Sequence, residues 1–367
     1  MSTQKKISLS QVYIDDEIRQ AVLKVVDSGQ YILGPECRAF EEELAAYTGT
    51  KHAVLSSNWT SAVSLLLEAM GVKEGDEVML PSQTAFPSVE PIIHIGAKPV
   101  FIDIDETYGI DASKLQQALT PRTVGILPVH LYGTPVDLDA ILAFAKANNL
   151  WVIEDCAQSQ GASYRGKRIG SYGFASAFSF YPSKNLTVLG DGGCICTNDD
   201  AVADKIRALR NHGRVGKAKY THDLVGYNMR FNEVQAAAGR IGLRHLDKLN
   251  QHRRGVAAHY NRRLGNLVIT PKERANGEAV YHMYVIRTKN RDALAAYLAE
   301  KGIETGIHYP TAVHQQPSIL ALYNDLPTLA NTENWIHDIL SLPVHGQLSA
   351  DDVDYVCDAI EAFFKQQ

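Results

Sequence analysis

The chain has 367 residues, of which 45% are hydrophobic and 21% charged, and its formal net charge is −5. That length supports a large core and more than one domain, and the proportions are those of a soluble globular protein. The acidic balance, with no basic run and no apolar stretch long enough to span a bilayer, gives no basis for a nucleic-acid or membrane partner.

The opening segment carries Lys5 and Lys6 with no apolar run behind them, which argues against a secretory signal. Five cysteines, Cys37, Cys156, Cys194, Cys196 and Cys357, are an odd number, expected as reduced thiols in the cytoplasm and not as a disulfide framework. Cys194 and Cys196 lie two apart in a strand-like run, on one face and without a turn, so a zinc site there is not expected, and no metal is expected elsewhere.

In chain order, a small polar turn, Ser57-Asn58-Trp59-Thr60-Ser61, precedes a helical stretch over 62–70. Strand-like runs follow at 77–80 (ending at Pro81), 99–104 and 124–129, then a helix over 140–148 and strands at 151–155, 175–180 and 193–197. A helix over 201–210 closes this series. Strands alternating with helices imply a mostly parallel sheet covered on both faces, with ligands bound beyond the carboxyl ends of its strands. A long charged helix, 243–264, then reads as a linker to a smaller α/β unit with a strand at 281–288 and helices at 291–301 and 349–365. Ser349 ahead of Asp351 and Asp352 reads as an N-cap with acids in the first turn. The expected division is a large domain over 1–240, with the N-terminal segment able to pack on the small domain, and a linker helix with a small C-terminal domain over 241–367.

Three features point to chemistry. Lys184 sits in a short polar turn, Tyr181-Pro182-Ser183-Lys184-Asn185, between two strand-like runs; alone it reads as a solvated loop lysine. Asp155 ends a strand that should be buried on both faces, where a carboxylate is costly unless paired. A pyridinium nitrogen would pair it; a capping role weighs about equally. The turn before helix 62–70 would offer a phosphate free N–H groups, a positive dipole end and the Thr60 and Ser61 hydroxyls, although ordinary capping explains it too.

The order of these features, with the motifs around them, resembles the DegT/DnrJ/EryC1/StrS family of sugar aminotransferases across nearly the whole chain. The motifs include Gly34-Pro35, Gly75-Asp76-Glu77-Val78, Pro128-Val129-His130-Leu131-Tyr132-Gly133, Glu154-Asp155-Cys156-Ala157-Gln158 and the lysine segment with Gly190-Asp191-Gly192-Gly193. Arg210-Asn211-His212-Gly213, Gly226-Tyr227-Asn228-Met229-Arg230-Phe231, Gly306-Ile307-His308-Tyr309-Pro310 and Leu340-Ser341-Leu342-Pro343 continue the series. So many short motifs in one order are far more specific than any one of them.

The resemblance implies a three-layer αβα architecture, fold type I of the pyridoxal-phosphate transferases, with a smaller C-terminal α/β domain. It implies pyridoxal 5'-phosphate (PLP) as cofactor, attached to Lys184, which also shuttles the substrate proton; a lysine amine suits both tasks. Asp155 matches the ring-nitrogen partner, Gln158 a position beside the ring and its phenolic oxygen, Ser179 and Thr60 phosphate ligands, and Asn228 a phosphate ligand from the neighbouring subunit of a homodimer. Where an aromatic often stacks on the ring this chain has Ala85, followed by Phe86, which is therefore the candidate for the stack. Trp59 stands where a small residue is usual; its ring must point away from the phosphate, shape the substrate pocket, or be a partly exposed packing residue. His212, His308 and Tyr309 are pocket candidates. The implied reaction is a two-step transamination from L-glutamate to a nucleotide-linked keto-deoxysugar, 3-keto in preference to 4-keto. A keto-inositol acceptor and a non-catalytic regulator with the same fold are the competing readings.

Overall fold

The computed structural model describes residues 5–216 and 220–366. Side-chain alternation along the strands decides how its layers assemble. β1 (His52–Ser56) turns Val54 to one side of the sheet and Ala53 and Leu55 to the other, and β2 (Glu77–Pro81) splits Val78 and Leu80 from Met79 in the same way. β3 (Lys98–Ile102), β4 (Thr123–Ile126) and β5 (Trp151–Asp155) continue the sheet. A short hairpin, β6 (Ser163–Tyr164) and β7 (Lys167–Arg168), precedes β8 (Ala175–Ser179) and β9 (Gly193–Thr197). The seven-stranded sheet runs β1-β9-β8-β5-β4-β2-β3. β9 is antiparallel to both its neighbours and every other pair is parallel.

With both faces apolar, the sheet needs a cover on each. α3 (Trp59–Met70) and helix Asp200–Leu209 supply one, through Ala62, Leu66, Ala203 and Ile206. On the other side lie α2 (Pro35–Thr48), helix Leu138–Ala147 and the start of helix Glu233–Leu264, through Phe40, Ile141 and Leu246. α1 (Asp16–Ser28) packs Ile18 against Ala238 and Ile241 of the long helix. The expected αβα sandwich is therefore present. All five cysteines are buried free thiols, and Cys194 and Cys196 share one face.

Several elements, α1, α2, β6, β7 and the later strands Gly277–Glu278 and Ile339–Leu342 among them, were not expected, and two further differences have a clear physical reason. β1 was not foreseen, because a run as short as Ala53-Val54-Leu55 becomes a strand only through pairing with β9. The long helix begins at Glu233, ten residues before the expected 243. Gly239 and Gly242 weaken its helical signature. Gly239 is there for close approach: a Cβ would lie 2.5 Å from the Phe40 ring.

The 32-residue helix is about 48 Å long. Its second half turns Val256, Tyr260 and Leu264 into a separate core. That core lies under a sheet of β11 (Tyr284–Arg287) and β12 (Ile339–Leu342), covered by helices Arg291–Glu300 and Ala350–Lys365; β10 (Gly277–Glu278) pairs instead with β6. Ser349 and Asp352 form a reciprocal capping box. Ile7 bridges to Ile303 in this region. Buried Arg253 donates to the carbonyls of Tyr281, His282 and Val344, and burial pulls its pKa down to about 10. Among the described residues, no helix is long and apolar enough to cross a membrane.

Candidate active site

The carboxyl ends of β1, β2, β5 and β8, with the start of β9, surround a cavity of about 540 Å³, within the range of small-ligand sites. Strand order explains the crevice: the chain enters the sheet at one edge with β1, crosses to β2 and β3, and returns through β4 and β5.

At one wall, β1 runs into α3. Asn58 caps this helix, its Oδ1 accepting from Ser61 N–H at 2.8 Å, and the first helical bond runs from Ala62 N–H to the Asn58 carbonyl. The Trp59 and Thr60 amides thus precede any intrahelical partner, in residues that line the cavity along with Ser61. Gly193 lets β9 pass close to this turn, since a Cβ would meet the Asn58 carbonyl at 2.4 Å. The Trp59 ring points into the core, 6% exposed, with Nε1 donating to the Ala177 carbonyl at 3.3 Å. It is a buried anchor of the turn, not a partly exposed packing residue.

The floor belongs to β5 and β8. Asp155 is 2% exposed; Oδ1 accepts from Ala157 N–H at 3.0 Å and Oδ2 from the Ser88 hydroxyl at 2.9 Å. Burial raises its pKa, opposed by those two hydrogen bonds and by the charge of Lys184. Ser179, at the end of β8, also lines the cavity. Five residues on, Lys184 is held in a turn by its N–H bond to the Tyr181 carbonyl at 2.8 Å. Desolvation brings its pKa down to about 8, with the Asp155 charge pulling the other way. At neutral pH about a tenth of such amines are unprotonated, against a few in ten thousand for an ordinary lysine. That makes Lys184 a competent carbonyl nucleophile.

Gln158 lies beside Asp155 with both ends fixed: Oε1 accepts from Tyr132 N–H at 2.7 Å and Nε2 donates to the Tyr309 hydroxyl at 3.1 Å. Burial raises the Tyr309 pKa to about 12, so this phenol stays protonated. His308 bonds Ser341 at 2.8 Å, and desolvation together with Lys184 lowers its pKa.

The structure thus brings Lys184, Asp155, Gln158, Ser179, Trp59 and Thr60 to one cavity, with Tyr309 reaching Gln158. Phe86 is not among the lining residues. It opens a tight turn, Phe86–Ser88, and packs against the core, while Ala85 and Pro87 line the cavity, so the expectation that Phe86 takes over the stack is not met in this conformation. Asn228 is exposed, bound to Arg230 at 2.9 Å, and His212 lies beside it through the Tyr227 carbonyl; neither lines the cavity of its own chain. Thr84 and Ser88 went unnoticed in the sequence, although both follow a strand end, where ligands were to be sought.

An anion-binding helix start, a buried acid and a low-pKa amine in one cavity suit a phosphorylated, ring-nitrogen-bearing aldehyde. A model of the DegT/DnrJ/EryC1/StrS aminotransferase family matches residues 12–361. The chain belongs to this family. It is 42% identical over 366 residues to a pleiotropic regulatory protein of Geobacillus stearothermophilus, covering 98% of each chain. It is 42% identical over 349 residues to the dTDP-3-amino-3,6-dideoxy-alpha-D-galactopyranose transaminase of Aneurinibacillus thermoaerophilus, covering 95% of each. The PLP form of Spr1654 from Streptococcus pneumoniae superposes with a TM-score of 0.92 at 25% identity, covering 99% of each chain. This protein is accordingly a PLP-dependent aminotransferase, with the fold of its family.

Proposed function

We propose that this DegT-family enzyme moves an amino group from L-glutamate to a nucleotide-linked keto-deoxysugar, at C3 in preference to C4. The observation that carries the reading is the pairing of an amine of lowered pKa, Lys184, with the buried acid Asp155 in one cavity beneath the α3 N-terminus.

The donor set fits PLP. The Trp59 and Thr60 amides and the hydroxyls of Thr60, Ser61 and Ser179 suit its phosphate. Asp155 suits its ring nitrogen, Gln158 a position beside the ring and Lys184 its aldehyde. Bound there, the cofactor supplies an electron-withdrawing ring and a carrier for the amino group. Asp155 holds the proton on the ring nitrogen. The Lys184 amine, free to act as a base in the cavity, would take the proton from the substrate carbon that bears the amino group and, in the second half-reaction, would give a proton to the sugar carbon that receives the amine. Gln158, fixed by Tyr132 and Tyr309, keeps the ring's orientation, and His308 and Tyr309 border the sugar. Asn228, exposed and away from its own cavity, suits the phosphate of a neighbouring copy in a homodimer. The 3-amino relative supports C3, as does the Phe180-Tyr181-Pro182-Ser183-Lys184 segment.

Purified protein reconstituted with PLP should be yellow and should bleach when L-glutamate is added; Lys184→Ala should be folded and colourless. The reverse reaction, with 2-oxoglutarate and a panel of nucleotide-linked 3-amino and 4-amino sugars, tests the acceptor. Preference for 4-amino sugars overturns the C3 assignment, and turnover of amino-inositols alone overturns the sugar assignment.

A further inference from the structure

We propose that Thr84 and Ser88 form a directed hydroxyl relay, Thr84 to Ser88 to Asp155, which makes Ser88 a positioning residue for the proton held at the cofactor's ring nitrogen. This rests on Asp155 being the ring-nitrogen partner.

The direction follows from counting protons. Ser88 Oγ lies 2.9 Å from Asp155 Oδ2 and 2.9 Å from Thr84 Oγ1. A charged carboxylate has no proton to give, so the single Ser88 proton goes to Oδ2. The Ser88 oxygen is then left to accept, and Thr84 must be the donor. A neutral Asp155 could reverse the chain, so the relay's direction is tied to the charge on the acid. All three groups are buried, at 3%, 3% and 2% exposure, and all three line the cavity.

The relay also spans the sheet. Thr84 and Ser88 follow β2, and Asp155 ends β5, with β4 between them. Ser88 is fixed from below by its own N–H bond to the Ala85 carbonyl at 3.0 Å. Oδ1 is served by Ala157 N–H, so Ser88 and Ala157 place one donor on each oxygen and orient the carboxylate plane. A carboxylate has about four acceptor positions, so two remain for the ring nitrogen. Removal of Ser88 would leave a buried acid with a single donor, and such an acid takes up a proton more readily. A protonated Asp155 cannot hold the ring-nitrogen proton.

The other titratable groups that act on Asp155 or feel its charge are Lys184, His130, Cys156 and Tyr309. The variants Ser88→Ala, Ser88→Thr and Thr84→Val leave all four in place.

The test is the PLP dissociation constant of the apo-protein, read by tryptophan fluorescence across pH. Affinity should fall on the acid side as Asp155 protonates. In Ser88→Ala the midpoint of that fall should move up by about one pH unit, a tenfold weaker affinity on the acid limb. Thr84→Val should move it the same way by less, and Ser88→Thr should restore the wild-type profile. A structural role would lower affinity at every pH without moving the midpoint. An unmoved midpoint in folded Ser88→Ala overturns the relay. So does a Ser88→Thr profile that matches Ser88→Ala. If Ser88→Ala does not fold, Thr84→Val carries the test, and an unmoved midpoint there has the same force. Failure of the wild-type protein to bind PLP would instead strike at the reading of the whole site.

Discussion

Glu154 and Asp155 are neighbours on one strand, both buried and both acidic, yet they face opposite sides of the sheet and meet opposite fates. Glu154 is saturated. It accepts from the amides of Gly170, Tyr172 and Gly173, each at 2.8 Å, and from His130 Nε2 at 3.2 Å. The tautomer of His130 is set by Val136 N–H, which donates to Nδ1 at 3.1 Å and so leaves the proton on Nε2. Burial alone would raise the Glu154 pKa, but the His130 bond and the Gly170 and Gly173 amides outweigh it and hold the acid below its usual value. Asp155 has two donors, a raised pKa and a cavity in front of it. A buried charge whose partners are all in the chain organises the fold; one with spare acceptor positions facing a cavity is kept for a ligand.

The strongest way to break this contrast is to neutralise the cavity acid. Asp155→Asn should fold normally and lose about 10³-fold in kcat/KM, roughly 4 kcal/mol, because an amide cannot hold the ring-nitrogen proton. Near-wild-type rates would make Asp155 as structural as its neighbour. Glu154→Gln should do the reverse. It puts an NH2 group against backbone donors and should cost about 3 kcal/mol of stability, seen as a lower denaturation midpoint in urea, while the folded protein keeps its PLP affinity. A large loss of affinity with unchanged stability would erase the distinction.

The sequence carried much of this. Six sheet strands, the helices between them and the order of lysine, acid and polar turn were visible, because apolar period and strand-end chemistry are local. Asp155 was legible as a site acid, but the structural role of Glu154 was not. Both acids sit in one motif, and the partners that fix Glu154, around Gly170, are distant in sequence. β1 and the true start of the long helix were also hidden, one made by pairing with β9 and the other masked by Gly239, whose meaning is its contact with Phe40. Phe86 shows the limit of adjacency: next to Ala85 in the chain, it turns to the core while Ala85 and Pro87 line the cavity.

Lys184 sharpens the comparison from the side of the base. Its pKa falls from 10.5 to about 8 in the folded chain, so the folded state binds fewer protons than the unfolded state between those values. Stability of the apo-protein should therefore rise with pH across that window, the cost of the buried cation being fully present below about 8. Lys184→Met removes this cost. The variant should be more stable than wild type at pH 7 by about 3 kcal/mol, and the gap should close as the pH approaches 10.5. Urea denaturation of both apo-proteins at several pH values measures it. A constant gap would mean that packing, and not charge, sets the difference. An Asp155→Asn background should widen the gap, since the attraction that opposes desolvation of Lys184 comes from that acid.

The smallest expected effect falls on Phe86. Its ring is half-buried against the core and does not line the cavity. Phe86→Ala should therefore cost about 1 kcal/mol of stability, less than a fully buried aromatic would, and leave PLP affinity unchanged. Equilibrium denaturation and fluorescence titration give the two numbers on one sample. The pair of results matters more than either. A loss in stability alone assigns the ring to the core, as the cavity lining does, and leaves Ala85 and Pro87 to cover the cofactor. A tenfold loss in affinity with little change in stability would mean that the ring swings over the cofactor once it binds, with the turn Phe86–Ser88 moving as a unit. That motion would carry Ser88 with it, so the same variant would then also shift the acid limb of PLP binding that Ser88 controls. An affinity loss without that shift would separate the stack from the relay.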